Sequence, residues 1–268
     1  MGKNLYIVPH DFTEVGDKAL EYALFLGQKV RTEIQLLHVA ADKAKGMQAV
    51  AKLEAIKDKT KVPDGVTLTT LVKVGSIFED IGTVAKKEHA QLIIMGTHGK
   101  RGFQSLFGSH AMKVVTSAEC PFLIVQKNTQ VEDVKELIVP IDLTKESLQI
   151  VNIAGDMSNM LKCSIHVLAE KQTDQILNTR LQNRLSIVKD QYKDRSITPT
   201  VVQLKKGGSY EKKVMKYAES VNGGMIAIAY HSESLLPQFD TFAQNLMVNK
   251  AGLPFLVVNS KLASSLYF

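Results

Sequence analysis

The sequence predicts an α/β protein in which one fold occurs twice, as two five-stranded parallel sheets with helices on both faces. Short apolar segments alternate with amphipathic ones throughout, which is typical of βαβ units. Residues 137–144 also repeat residues 6–13 at an offset of 131 positions. Later landmarks recur at an offset of 133 positions: Gly75-Ser76 with Gly208-Ser209, and residues 121–125 with 254–258. A repeat of this length indicates the duplication of a whole domain.

The elements of the first half can be assigned in order from apolar pattern and capping residues. Five strands are predicted at residues 6–9, 34–39, 66–74, 92–95 and 122–125. Thr13 is the expected cap of the first helix, whose predicted apolar face is Val15, Ala19, Ala23, Leu24 and Val30. A second helix is predicted over residues 43–59, with Ala44, Met47, Ala51 and Ala55 near one face. Ser76 and Glu79 form a predicted capping box for the third helix, whose face is Phe78, Ile81 and Ala85.

The fourth strand runs into a glycine-spaced loop, which is the chemically most informative stretch of the chain. The loop holds Gly96, Gly99, Gly102 and Gly108, and Ser109 is a natural N-cap for the helix that follows. Glycine allows close backbone approach to an anion, and a helix N-terminus offers N–H groups and a positive dipole end. The pattern therefore fits a phosphate site, although an ordinary strand-to-helix connection with glycines in tight turns fits it as well.

Composition and charge exclude several functional classes. The chain has 268 residues, 45% hydrophobic and 22% charged, with a net charge of +6. Because no apolar run is long enough to span a bilayer and the first residues lack a signal-peptide layout, we expect a cytoplasmic protein without membrane contact. The lysines are scattered without interleaved aromatics, which argues against nucleic-acid binding. Cys120 and Cys163 have no metal or redox spacing and are expected to be buried structural thiols.

Together, the strand ending in Pro-x-Asp, the Gly-x-x-Gly loop and the following Gly-Ser pair resemble a tandem universal stress protein. The resemblance extends over both halves and implies the fold of the adenine-nucleotide α-hydrolases, with strand order 3-2-1-4-5. Some members of that family bind ATP and others do not. The implied domains are residues 1–127, with the phosphate loop, and residues 134–268, a degenerate copy.

The resemblance also implies a nucleotide site in the first domain. Asp11 and Pro9 would lie near the adenine and ribose, Val39 would contact the base through its backbone, and the loop glycines would approach the phosphates. The implied residues are Pro9, Asp11, Val39, Gly96, His98, Gly99, Gly108, Ser109 and His110. His98 and His110 are interpreted as simple donors, not as catalytic or metal-binding groups. Asp11 fits an Asx-type helix cap equally well.

The loop departs from the family pattern in its length. Residues 100–107 place eight residues between the second glycine and the Gly-Ser pair, where the pattern has nine. Either the loop is tighter by one residue, or Ser109 takes the place of the glycine and His110 that of the serine.

The expected function is a stress or signalling response in which adenine-nucleotide binding, not turnover, is the activity. The chain has no Walker loop, no dinucleotide fingerprint after its first strand and no nucleophile elbow, so no catalytic residue is assigned. At most we expect slow ATP hydrolysis, with Mg²⁺ held only through the phosphates. The alternative is a protein–protein interaction module of the same fold that does not bind nucleotide and whose protein partners the sequence does not name.

The second half is expected not to bind ATP. The four equivalents of Gly96, Gly99, Gly108 and Ser109 are Ala229, Ser232, Thr241 and Phe242, and the equivalent of Val39 is Glu170. Its loop is apolar instead, with Leu235, Leu236, Pro237, Phe239 and Phe242. Strand five is a sheet edge in this topology, so we expect residues 122–125 and 255–258 to pair about a pseudo-two-fold axis. That pairing would make the chain an intramolecular pseudo-dimer and leaves a homodimer open.

Overall fold

The computed structural model describes residues 4–97, 115, 118–144, 146–230, 242–243, 245–247 and 249–259. The chain divides into two compact units, Met1–Glu132 and Asp133–Phe268. Gly96 and Thr97, which were predicted to lie in the glycine loop, belong to the fourth strand (Leu92–Thr97), and residues 98–114 of the loop and the helix after it lie outside the described residues.

The first unit is a parallel sheet in the order β3-β2-β1-β4-β5. Its elements are β1 (Leu5–Pro9), α1 (Glu14–Gly27), β2 (Thr32–Ala40), α2 (Lys43–Lys59), β3 (Val66–Val74), α3 (Ile77–Lys87), β4 (Leu92–Thr97) and β5 (Phe122–Gln126). The central strand β1 pairs with β2 through Tyr6 and Ile34, and with β4 through Tyr6 and Leu92. Every residue of β4 and β5 is buried, which requires cover on both faces of the sheet. The predicted fold class and strand order are confirmed.

The second unit has the same strand order, β8-β7-β6-β9-β10. Its elements are β6 (Glu136–Pro140), a 3₁₀ turn (Glu146–Gln149), α4 (Ile150–Leu161), β7 (Ser164–Glu170), α5 (Gln175–Lys193), β8 (Thr200–Leu204), α6 (Tyr210–Ser220), β9 (Met225–Tyr230) and β10 (Phe255–Asn259). It differs from the first unit at the start of its first helix, where the 3₁₀ turn precedes α4. Within the described residues, neither unit contains a helix long and apolar enough to cross a membrane.

The first helix starts after Thr13 as predicted, but its predicted side-chain cap and its predicted apolar face need correction. Thr13 occupies the N-cap position of α1, but its side chain makes no capping hydrogen bond. Its hydroxyl instead donates to the carboxylate of Asp11. The helix ends at Gly27, so Val30 is not part of its apolar face, and Leu24 is only half-buried.

The bounds predicted for α2 are correct, but its predicted apolar face is wrong. Ala44, Ala51 and Ala55 are exposed, and Met47 is 73% exposed. The buried face is formed by Gly46, Ala49 and Leu53. Alanine is common on several sides of this helix, so its spacing could not select a face. Contact with the sheet selects the orientation in which Leu53 is fully buried.

The predicted capping box of α3 is also wrong in its partners. The carboxylate of Asp80, not of Glu79, accepts a hydrogen bond from the backbone N–H of Ser76 at 2.7 Å. The Ser76 side chain makes no capping bond. In the second unit the equivalent Ser209 does cap its helix, because its hydroxyl accepts from the N–H of Lys212 at 3.2 Å.

Candidate functional site

A cavity of about 70 Å³ lies at the carboxyl ends of the central strands of the first unit. Pro9 and Asp11 at the end of β1, Val39 near the end of β2 and Gly96 in β4 are among its lining residues. In open α/β sheets, ligands bind at this edge, where the connections leave a central strand in opposite directions. The structure therefore brings together four of the nine predicted site residues. The other five, His98, Gly99, Gly108, Ser109 and His110, lie outside the described residues.

Asp11 forms a local turn at the mouth of this cavity. Its Oδ1 accepts hydrogen bonds from the backbone N–H of Thr13, at 3.1 Å, and from the Thr13 hydroxyl. Asp142 and Thr144 repeat the arrangement in the second unit, where the N–H contact is 2.7 Å. The Asx-type interpretation of this aspartate is therefore correct, and any contact with a ligand is made by a carboxylate that the turn already holds in place.

Gly96 has a structural role that does not depend on a ligand. A Cβ at this position would lie 2.1 Å from the backbone oxygen of Val15, far inside contact distance. Strand β4 therefore packs directly against the first turn of α1, and only glycine allows that approach. This close packing places the start of α1 beside the end of β4 and forms one wall of the cavity.

Two histidines that the sequence analysis did not select are part of the site. His10 is 3% exposed, and its Nδ1 accepts the backbone N–H of Phe12 at 3.0 Å. That bond leaves the proton on Nε2, which lies 3.1 Å from Oδ1 of Asp17. Burial lowers the pKa of His10, and Asp17 opposes this shift only in part. His38 donates from Nδ1 to the backbone oxygen of His10 at 2.8 Å and so ties the end of β2 to the end of β1.

Phe12 covers this histidine pair. It has a φ of +64°, which is uncommon for a residue with a bulky side chain. Its ring centroid lies 4.5 Å from that of His38, and Nζ of Lys52 lies 5.2 Å from the Phe12 centroid. A sequence signal existed, since aromatic and histidine residues directly follow β1, but only the turn at Asp11 shows that they meet.

The second unit has a larger cavity of about 270 Å³ at the equivalent place. Asp142, Ala229 and Phe242, the equivalents of Asp11, Gly96 and Ser109, are among its lining residues. Ser232 and Thr241, the equivalents of Gly99 and Gly108, lie outside the described residues. The Glu170 carboxylate, which replaces the side chain of Val39, pairs with Lys213 and accepts the N–H of Gly207 at 3.3 Å.

Metal and thiol chemistry find no support in the part of the chain that the structure describes. It contains no group of three or more His, Cys, Asp and Glu residues that could hold a metal ion. Burial raises the pKa of Cys120 to about 12 and also raises that of Cys163. Both thiols therefore stay protonated near neutral pH, and neither has the lowered pKa of a reactive cysteine. They are half-buried, less enclosed than the sequence predicted.

Comparisons with known proteins agree with this architecture. The family model described as the universal stress protein family matches residues 6–126. A universal stress protein of Methanocaldococcus jannaschii is 31% identical over 145 residues, which cover 47% of this chain and 85% of that protein. A solved universal stress protein of Archaeoglobus fulgidus aligns with 97% of this chain and 100% of its own, at 17% identity and a TM-score of 0.75. The last comparison concerns the fold alone.

Proposed function

The chain belongs to the universal stress protein family, and on that premise we propose that its first unit binds an adenine nucleotide. The activity is binding, not turnover, and it serves a stress or signalling response. No residue is assigned to catalysis. Mg²⁺ would be held through the phosphates, and ATP hydrolysis would at most be slow.

The backbone at the end of β2 is the observation that carries this proposal. The carbonyl of Leu37 accepts the N–H of His10, so the backbone groups of Leu37 point toward β1. In a strand the direction of the backbone N–H and C=O groups repeats every second residue, so the N–H and C=O of Val39 also point toward the β1 side. Strand β1 has ended there, at Pro9 opposite Leu37, so these two groups face the space beyond β1. A donor and an acceptor on one edge suit the edge of a purine base.

The cavity walls suit the faces of the same base. Ile77 and Ile81 of α3 and Met95 of β4 contribute apolar side chains to the lining. Asp11 lies at the mouth, where its carboxylate could accept a ribose hydroxyl. The glycine loop follows directly after β4 in sequence, so the phosphates would extend toward residues whose composition predicts an anion site.

The first test compares two aspartates that form the same turn. Asp11→Ala and Asp142→Ala each remove an Asx turn, so both should lose a similar amount of stability, about 1 kcal/mol. Only Asp11→Ala should weaken ATP, ADP or AMP binding, by about tenfold for one lost hydrogen bond to a charged group. Calorimetric titration of the full chain measures both variants. Equal affinity in the parent and in Asp11→Ala would place the nucleotide elsewhere.

A second test addresses the phosphates. Gly99→Val and Gly108→Val should block close approach of a phosphate, whereas Gly102→Val, in the same loop but outside the predicted site, should not. In a thermal-shift assay, a nucleotide at 100 times its Kd stabilises the parent by about 2.7 kcal/mol. The first two variants should lose this stabilisation while the third keeps it. If millimolar ATP, ADP and AMP all leave the parent unshifted, the interaction-module alternative is favoured.

A further inference from the structure

The 270 Å³ cavity of the second unit is not used by the proposed function. It lies at the carboxyl ends of β6 and β9, where the first unit has its candidate nucleotide site. A cavity of this size at the switch point of an open sheet is the usual place for a small-molecule site. The residues around it decide which kind of molecule fits.

Tyr210 occupies the space that corresponds to the place proposed for a purine base. It stands at the position of Ile77 in the first unit, as the first residue of α6. Its hydroxyl lies 3.1 Å from the backbone oxygen of Ile141 and 2.9 Å from that of Leu168. The phenol ring therefore lies over the ends of β6 and β7, the equivalent of the place proposed for the base in the first unit.

Phe242 and the strand residues make the remaining space apolar and partly aromatic. The rings of Tyr210 and Phe242 are stacked, with centroids 5.5 Å apart and planes inclined by 8°. Ile228, Ala229 and Ala243 also line the cavity. An aromatic molecule placed against this stacked pair would gain both apolar burial and ring contacts.

The charges around the cavity disfavour anions. Asp142 and Glu211 contribute carboxylates to the lining, and none of the described lining residues is Lys, Arg or His. The nearby ammonium of Lys213 pairs with Glu170 and donates to the backbone oxygen of Lys205 at 2.8 Å. Arg184 donates to the backbone oxygens of Asp142 and Thr144 and is not part of the lining. A phosphate or carboxylate would thus meet like charges, and the nearby cations Lys213 and Arg184 already have carboxylate or backbone oxygen partners.

We propose that this cavity binds a small aromatic molecule that is neutral or cationic and that donates a hydrogen bond to the carboxylate of Asp142. The second unit would then be a binding domain of its own, with a ligand class different from that of the first. This proposal does not depend on nucleotide binding by the first unit.

Indole and two charged derivatives make suitable probes. The chain contains no tryptophan, so indole fluorescence can be excited selectively over its seven tyrosines, and anisotropy reports binding to the full chain. Indole should bind with a Kd of about 0.1–1 mM, as expected for so small a ligand. Tryptamine should bind at least as tightly, and indole-3-acetate at least tenfold more weakly. Absence of indole binding at millimolar concentration, or tighter binding of indole-3-acetate than of tryptamine, would overturn the proposal.

Two variants locate the site. Ala229→Leu fills the cavity and should weaken indole binding at least tenfold, while Ala51→Leu, at an exposed position of α2, should leave it unchanged. Asp142→Asn keeps an oxygen acceptor for the Thr144 turn but removes a charge. It should reduce the ratio of the Kd of indole-3-acetate to the Kd of tryptamine several-fold while the chain stays folded. Unchanged indole affinity in Ala229→Leu would show that the probe binds elsewhere. An unchanged ratio of the two Kd values in Asp142→Asn would show that Asp142 does not contact the ligand.

Discussion

His10 shows how a single side chain can tie the candidate site to pH. It is buried at the end of β1, accepts a backbone hydrogen bond on Nδ1 and has Asp17 beside Nε2. Burial is the largest influence on the pKa of His10, and it favours the neutral ring. Protonation would also break the bond from Phe12, because a cationic imidazole has no acceptor nitrogen.

The stability of the chain should therefore fall as the pH drops below about 6.5, the ordinary pKa of histidine. In that range the unfolded chain binds a proton that native His10 does not bind until a lower pH. One such proton lowers the free energy of unfolding by at most about 1.4 kcal/mol per pH unit. Above both pKa values His10 contributes no pH dependence. Urea unfolding at a series of pH values measures the slope of the free energy of unfolding against pH.

The second unit supplies the matched substitution for this experiment. Ile141 stands where the first unit has His10, and it is 1% exposed. His10→Ile should therefore be accommodated and should reduce the slope below pH 6.5. His89→Asn, at an exposed position with a φ of +55°, should keep the parent slope because asparagine tolerates that backbone conformation. If His10→Ile keeps the full slope, another group is responsible for it.

At the scale of elements, the packing of β4 on α1 explains why residue 96 of the site is a glycine. Gly96→Ala would place a methyl group 2.1 Å from the Val15 backbone oxygen. Because a backbone atom cannot rotate away, we expect a loss of stability of about 1–3 kcal/mol. Gly46→Ala is the control: its Cβ would lie 3.3 Å from Cγ2 of Val74, an exposed side chain that can shift. Inside α2 it should raise stability by up to about 1 kcal/mol.

Chemical denaturation of the two variants measures these opposite changes in the free energy of unfolding. An unchanged or higher stability for Gly96→Ala would mean that β4 and α1 are not in direct backbone contact. In that case a ligand role for Gly96 would be the better explanation of why glycine stands there.

The same scale shows what the sequence could and could not predict. Strand positions followed from apolar runs and turn residues, which are local signals, whereas the strand order was implied by the family resemblance. The buried face of α2 was mispredicted because alanines surround that helix, and only contact with the sheet selects the side of Leu53. The cap of α3 was mispredicted because Asp80 and Glu79 are both acidic and near Ser76, and their reach depends on the backbone geometry.

The candidate site, like the fold, was predicted only in part. Pro9, Asp11, Val39 and Gly96 were implied by the family resemblance, and they line one cavity. The contacts among His10, Phe12 and His38 were not predicted, since they depend on a left-handed residue after β1 and on the ending of β1 beside β2. The end of β1 at Pro9 was predicted, but the left-handed conformation of Phe12 has no sequence signal of its own.

At the scale of the whole molecule, the two units differ where a nucleotide would bind. Tyr210 covers the strand ends in the second unit, and Glu170 replaces the apolar side chain of Val39. We therefore expect one ATP per chain in a calorimetric titration. Tyr210→Ile restores the residue of the first unit but leaves Glu170 and Phe242 in place, so it should not create a second site. Two molecules of ATP bound per parent chain would contradict the prediction that the second unit does not bind ATP.

The turn made by Asp11 and Thr13, and again by Asp142 and Thr144, bears on how this aspartate is interpreted in related sequences. The turn is present in both copies, although the cavities beside it differ in volume and in lining. Selection for folding alone is enough to retain an aspartate that builds a turn. An aspartate at this position in a related sequence is therefore not by itself a sign of a nucleotide site, and residues that differ between the two cavities, such as Ile77 and Tyr210, are better guides to any ligand.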